Sequence, residues 1–247
     1  MLDFVRGKTF IKCDQALPSY LLLIPLIYVR YHFRQAWAQA KDVETYLLRA
    51  ALAGAFSGTP DQLIDSIVDK LRELKAFDLA EVFGVIRTKG RSLDITEDRL
   101  WSMGYGSNGI HLLFNLWYSF NYTPAYDNNL PQVDHIFPQS LLSSVKSVNP
   151  ETGRRTIMRY RIWDRNQLGN CMLLTQQENG AGGKWDAPPD QWFAGKPPEY
   201  LEKHLIPADP AMWKLDRFGD FLEARKALIL DKFRYLLAST STTATNP

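Results

Sequence analysis

Apolar positions along the first half of the chain recur at the helical period. Val43, Tyr46, Leu47, Ala50 and Ala51 fall on one face of a helix spanning 42–56. Thr59-Pro60-Asp61-Gln62 reads as a helix start, with Thr59 as cap, Pro60 in the first helical position and Gln62 reaching back as in a capping box. Leu63, Ile64, Ile67, Val68, Leu71 and Leu74 then form the clearest amphipathic stripe in the chain. A further helix is predicted from about 109 to 120, with Ile110, Leu113, Phe114 and Trp117 on one face and Ser107 or Asn108 as cap. The pattern changes over 121–131, where Pro124, Asp127, Asn128, Asn129 and Pro131 make a turn-rich connector. An alternating run follows at 132–137, with Val133, His135 and Phe137 on one face, and Cys171–Leu174 reads as a second short strand. Asp209-Pro210 is expected to cap a long C-terminal helix with the stripe Phe218, Phe221, Leu222, Leu228, Ile229, Phe233 and Leu236. The Ser/Thr/Ala stretch 239–247 is expected to be a disordered tail.

The apolar run Tyr20–Val29 is about half the roughly 20 residues a spanning helix needs and contains Pro25. It starts too late and lacks a small-residue cleavage site for a signal peptide, so it reads as a buried helix, with no membrane partner. The 247 residues, 45% hydrophobic and 23% charged, suit one large globular domain or two small ones. Two cysteines 158 positions apart exclude a disulfide framework and give no zinc spacing; a reducing, cytoplasmic setting fits them. A net charge of +2 decides nothing, but charge is uneven. Between 146 and 165, Lys146, Arg154, Arg155, Arg159, Arg161 and Arg165 face only Glu151 and Asp164.

The chain has four histidines. His32 and His111 lie in apolar or aromatic helical contexts, and His204 precedes Leu205-Ile206-Pro207; these three read as packing or surface residues. His135 differs, because it follows Asp134 at a strand end and is bounded by Pro138. A carboxylate that binds a hard cation and an imidazole that takes a proton from water are the minimum set for metal-assisted hydrolysis. Alone, the dipeptide is weak evidence, and a buried, hydrogen-bonded histidine is the better reading of it. Downstream lie Gly169-Asn170-Cys171-Met172-Leu173-Leu174, then Glu178-Asn179, then Lys184. Cys171 has no basic partner beside it in sequence and reads as a buried thiol.

This succession resembles the HNH, or ββα-metal, nuclease motif. The stretch Glu199–Pro207 leading into Trp213, Phe218, Phe221, Leu222 and Arg225 is similar to the C-terminal part of GmrSD-type modification-dependent restriction enzymes. The helical first half resembles the middle of those proteins. The resemblance implies a mainly α chain with a small α+β element: a helical domain over 1–125, then an HNH nuclease domain with a long C-terminal helix over 126–238. It implies His135 as general base and Asn170 as the side chain that ties the loop after the first strand and orients His135. Asp134 and Asn179 would hold one divalent cation, Mg²⁺ or Mn²⁺. Lys184, Arg154, Arg155, Arg159, Arg161 and Arg165 would contact DNA phosphates. It also implies partnership with an N-terminal nucleotide-hydrolysing, sensing domain, whose Asp-Gly-Gln-Gln-Arg signature this sequence does not contain. One departure stands out. The family places the third motif residue on a helix, whereas Asn179 is followed by Gly180, Gly182 and Gly183. Such a helix is expected to be short, and Glu178 is then the substitute ligand. An HNH scaffold that binds DNA or a partner domain without catalysis, and a helical interaction protein with a structural Asp-His pair, are the competing readings.

Overall fold

A computed structural model describes residues 1–118, 131–180 and 182–237. The connector expected over 121–131, except Pro131, and the tail 239–247 lie outside the described residues. The chain divides into two compact units: Met1–Leu100 with His111–Leu116 and the residues from Tyr235 on, and Trp101–Ile110 with Trp117–Arg234.

The first unit is helical: α1 (Leu2–Lys8), α2 (Ile24–His32), α3 (Arg34–Ala38), α4 (Val43–Ala53), α5 (Asp61–Leu74), α6 (Leu79–Thr88) and the start of α7 (Glu97–Trp101), with the middle of α8 (Ile110–Trp117). Pro25 does not interrupt the apolar run at 20–29. It stands in the first turn of α2, where its missing N–H costs nothing, after a 3-10 turn over Tyr20–Leu23. Leu22, Leu26 and Val29 are buried, and the Tyr46 hydroxyl donates to the Leu22 carbonyl at 3.0 Å. The α4 helix buries Val43, Tyr46, Leu47, Ala50 and Ala51 as its period predicts. It ends at Gly54, whose φ of 72° and close approach to the Arg99 guanidinium leave no room for a Cβ. The α5 helix buries Leu63, Ile64, Ile67 and Leu71, with Val68 and Leu74 half-buried. Its start departs from expectation: Pro60 is the cap, no side chain caps it, and Thr59 does not take that role. The Pro60 carbonyl accepts the first helical bond, from Ile64 N at 2.9 Å, and the helix begins one residue later than predicted.

The second unit holds two antiparallel strand pairs among short helices. Strand β1 (Pro131–His135) pairs with β4 (Cys171–Thr175), in the register Asp134 against Met172 and His135 against Cys171. Strands β2 (Lys146–Val148) and β3 (Arg155–Met158) form a separate hairpin inside the basic segment. Between and after them lie α9 (Gln139–Ser144), α10 (Ile162–Arg165), α11 (Gln176–Asn179), α12 (Pro189–Trp192), α13 (Pro198–Lys203) and α14 (Phe218–Phe233).

Every residue of β4 is buried, in keeping with its unbroken apolar run. Its core joins Ile136, Phe137, Leu142, Met172, Leu174, Phe193, Trp213, Phe218, Phe221 and Leu222. Phe137 packs edge-on against Phe218 and Phe221 at about 5 Å between ring centroids. Asp209 does cap a turn, accepting from the Ala211 amide at 2.9 Å, but the turn is a 3-10 piece over Pro210–Trp213. Burial of Trp213, whose indole N–H reaches the Pro207 carbonyl, and an extended Lys214 separate it from α14. The expected stripe is buried except Leu228, and α14 also buries Arg225 completely. Among the described residues no helix is long and apolar enough to cross a membrane.

Candidate active site

The end of β1 brings Asp134 and His135 to the start of β4. Successive strand residues point to opposite faces, so the two side chains diverge. His135 is 6% exposed. Its Nε2 lies 2.9 Å from Asn166 Oδ1 and 3.1 Å from Gln139 Nε2, while Gln139 Nε2 itself donates to Asn166 Oδ1 at 2.9 Å. One pattern serves both bonds to Asn166: the amide oxygen accepts from Gln139 and from a proton on His135 Nε2, and the Gln139–His135 approach at 3.1 Å is then a contact between two donors rather than a hydrogen bond. The lone pair then sits on Nδ1, which has no protein partner among the described residues. Tyr105 covers one face of the imidazole, ring centroids 4.1 Å apart. Tyr105 is delivered by Gly104, which passes so close to the Asn166 carbonyl that a Cβ would sit 2.1 Å from its oxygen.

Burial lowers the His135 pKa below its ordinary value of 6.5. The Asn166 bond and Asp134 oppose this, and Lys184 and Arg165 reinforce it. The ring is therefore neutral near neutral pH, the state a general base needs.

Asn170 is fully buried in a 3-10 turn over Leu168–Asn170. Its side-chain oxygen accepts from the Phe137 amide at 2.8 Å. Its nitrogen donates to the Phe137 and Arg165 carbonyls at 3.1 and 2.8 Å. It thus ties the segment after β1 to the segment before β4, and the Asn170 carbonyl accepts from Ile136 N at 2.7 Å.

Asp134 and Lys184 form an ion pair, with Nζ 2.7 Å from Oδ2. The same ammonium donates to the His135 carbonyl at 2.5 Å. Lys184 is 1% exposed, so it does not stand at the surface as the phosphate contact expected from sequence. Its charge is spent on holding Asp134 and the strand end. The glycines after Asn179 explain how it gets there. They end α11 at four residues and turn the chain back. Gly183 lies against the Glu178 carbonyl, where a Cβ would come within 2.1 Å, and Lys184 N donates to that same carbonyl at 2.6 Å. Glu178 closes a capping box with Thr175, so its carboxylate serves the helix start rather than replacing Asn179 as ligand. Asn179 stands half-buried at the end of α11, with Nδ2 donating to Gln132 Oε1 at 3.2 Å. Gln132 is two residues before Asp134 and lies on the same face of β1.

The structure therefore gathers Asp134, His135, Asn170 and Lys184, and sets Asn179 one step away. Arg165 reaches the Gln139 carbonyl at 3.4 Å, beside His135. Arg154, Arg155, Arg159 and Arg161 stand apart on the exposed hairpin and its return. Sequence reasoning missed Asn166, Gln139 and Tyr105, which hold the imidazole. Residues 139 and 166 flank the variable segment between the motif's first two elements, and no residue-type signal marks them. Arg225, named from sequence only as part of the family-like C-terminal stretch, was given no role there. That guanidinium donates to the carbonyls of Gly169, Cys171, His204 and Leu205 at 2.7–3.1 Å, so it brackets Asn170 from behind. Cys171 is a buried thiol, pushed up to about 12 by burial, and is no nucleophile at neutral pH.

Oxygen donors are what the Asp134–Asn179 side offers: one carboxylate whose Oδ1 has no protein partner among the described residues, and one amide oxygen. Such a pair suits a hard divalent cation that keeps most of its waters and takes further oxygens from a phosphate. Among the described residues, no group of three or more His, Cys, Asp or Glu side chains is placed to hold a metal.

These features define a class of site: an antiparallel strand pair and a short helix, with an acid, a buried imidazole and a buried amide where the strands begin and end. Residues 91–232, more than half the chain, match the family model of the GmrSD restriction endonucleases, C-terminal domain, and the chain belongs to that family. No curated protein matches the chain.

Proposed function

We propose that this chain is a metal-dependent endonuclease of the HNH type that hydrolyses DNA phosphodiester bonds. Its setting would be the cytoplasm, as the nuclease part of a system restricting foreign DNA, alongside a nucleotide-hydrolysing sensing domain. The observation that supports it best is geometric: a buried imidazole, held by Asn166 and Tyr105, stands next to Asp134 at the strand end that Asn170 ties to the start of β4.

In the proposed reaction His135 Nδ1 takes a proton from a water molecule as its oxygen attacks phosphorus. The P–O bond to the leaving 3′-oxygen breaks, and that oxygen leaves with the bonding electrons. Asp134 and Asn179 would hold a divalent cation, Mg²⁺ or Mn²⁺, which when bound supplies positive charge at the phosphate and the leaving oxygen. Lys184 fixes the Asp134 carboxylate so that Oδ1 is presented. Asn170 and Arg225 hold the backbone at the start of His135's partner strand. Arg154, Arg155, Arg159, Arg161 and Arg165 would contact phosphates.

Supercoiled plasmid incubated with Mg²⁺, Mn²⁺ or EDTA tests this reading. Metal-dependent nicking is expected, and His135→Ala is expected to reduce it by about 10²–10⁴-fold. The rate is expected to rise with pH through a value below 6.5 and to level off by neutrality, because the base is active only when unprotonated. Nicking unchanged in His135→Ala overturns the reading. One observation favours a non-catalytic DNA-binding or partner-binding module instead: Asp134 already has a cation in Lys184. That alternative predicts salt-sensitive DNA binding and no nicking in any metal.

A further inference from the structure

The β2–β3 hairpin is built unlike the rest of the second unit. Its two strands pair only with each other, and all four residues of β3 are exposed. Because side chains alternate between faces, exposure of consecutive residues means that neither face of the hairpin packs on a core. Val148, Ile157 and Met158 on the strands, and Ile162 and Trp163 just beyond, are 37–61% exposed. Such a concentration of large apolar side chains in 16 residues marks a contact surface rather than scattered exposure.

The arginines of this segment are not neutralised by carboxylates. Arg154, Arg155, Arg159 and Arg161 form no ion pair among the described residues. Asp164 is occupied in the first turn of α10, where it accepts from Arg161 N at 2.8 Å. The guanidinium of Arg161 lies over the Trp163 ring, 5.2 Å from its centroid.

The base of the hairpin is fixed to the candidate site. Arg159 N donates to the Val145 carbonyl at 2.9 Å, and Tyr160 packs on Phe218 with centroids 4.9 Å apart. Arg165 is tied to Gln139 and Asn170, two of the groups that hold His135 and its strand.

We infer that this hairpin is a two-stranded ribbon that docks in the groove of duplex DNA and thereby presents the duplex to His135; the inference rests on the nuclease reading. Strands about 4.8 Å apart make a ribbon that the roughly 12 Å major groove of B-DNA admits. Arginines along its length meet phosphates on both groove walls, and the exposed apolar side chains meet base edges and sugars. An unsupported two-stranded hairpin is only marginally stable in water, so the partner that covers it also orders it. Single-stranded nucleic acid is the weaker fit, because strand-binding grooves align several aromatic rings and this ribbon exposes only Trp163.

The test is fluorescence anisotropy with the full chain carrying His135→Ala, so that binding is read without cleavage. The probes are a labelled duplex, one of its single strands, and vesicles rich in anionic lipid. Duplex is expected to bind more tightly than single strand, with no vesicle binding. Replacing Arg154, Arg155 and Arg159 together by Ala is expected to weaken duplex binding at least about tenfold and to flatten the log K against log salt plot by about 2.7, at 0.9 per phosphate contact. Trp163→Ala is expected to weaken binding without changing that slope. The melting temperature of all these variants should match that of the parent, since the replaced side chains are exposed. Tighter binding to single strand or vesicles, or unchanged duplex binding by the triple variant, overturns the inference. Its failure is distinguishable from that of the nuclease reading: absence of nicking with ribbon-dependent duplex binding refutes only the latter, and nicking with ribbon-independent binding refutes only the former.

Discussion

Asn170→Ala removes a side chain that touches no solvent and serves three backbone groups. The Phe137 amide loses its acceptor, and the Phe137 and Arg165 carbonyls lose a donor. A buried polar group left without a partner costs about 1–3 kcal/mol. The two carbonyls sit at the low end, since a carbonyl tolerates under-satisfaction better than an N–H. The sum is about 3–5 kcal/mol. For a chain of this size each kcal/mol lowers the melting temperature by about 2–4 °C, so a drop of roughly 6–20 °C is expected in thermal unfolding followed by circular dichroism. Nicking, assayed well below the variant's melting temperature, is expected to fall about 10²-fold, because His135 is two residues from the released Phe137 and a displacement near 1 Å has that effect. Asn170→Asp gives a sharper test. It keeps the acceptor for Phe137 N but sets a buried carboxylate against two carbonyl oxygens, so it is expected to be at least as damaging as Ala. An Asn170→Ala protein that melts within 2 °C of wild type and nicks at the wild-type rate refutes the argument.

Lys184→Met leaves Asp134 and the His135 carbonyl without their donor. It is expected to cost about 2–4 kcal/mol, below the full buried-pair figure because Asp134 is partly exposed. Adding Asp134→Asn should recover part of that loss in a double-mutant cycle, and strict additivity in denaturant unfolding would show that the pair does not interact. His204 is buried with Nδ1 2.8 Å from the Tyr118 hydroxyl, and burial lowers its pKa from 6.5 to about 3. The unfolded chain therefore takes up this proton first. Stability is complete above pH 6.5 and falls as pH drops towards 3, by up to about 1.4 kcal/mol per pH unit. His204→Gln should remove that slope from the pH dependence of urea unfolding, and an unchanged slope would assign acid sensitivity elsewhere.

The helical stripes were legible because burial of one face imposes a period that no other element shares. Helix starts were less so: Thr59 and Asp209 are both residues that cap well, yet one does not cap and the other caps a 3-10 turn. Capping chemistry identifies a residue able to begin a helix, but tertiary burial decides whether a helix continues. Trp213, drawn inward with its indole N–H on Pro207, ends that turn well before α14 begins. The hairpin at 146–158 left no strand signature at all. Period-2 alternation records a contrast between a buried and an exposed face, and a ribbon exposed on both has none to record.

The candidate site divides along the same line. That Asp134, His135 and Asn170 lie together was legible because their order along the chain is set by two short strands and the turn before the second, so sequence spacing stands in for spatial proximity. Lys184 was found by position and misread in role. A lysine five residues past a helix end suggests a surface charge, and only the fold-back at Gly183 turns it onto Asp134. Arg225, 54 residues past Cys171, is the extreme case. Its partners are four main-chain carbonyls, and a carbonyl has no residue type that a sequence could display. A buried guanidinium without a carboxylate is stable only where several such dipoles converge, and here they converge behind Asn170. The same convergence makes Arg225→Lys a non-conservative change, since one ammonium with three protons cannot reach four carbonyls on two segments. The helix that supplies Arg225 is therefore part of the machinery that positions His135, although it contributes no group to the proposed reaction.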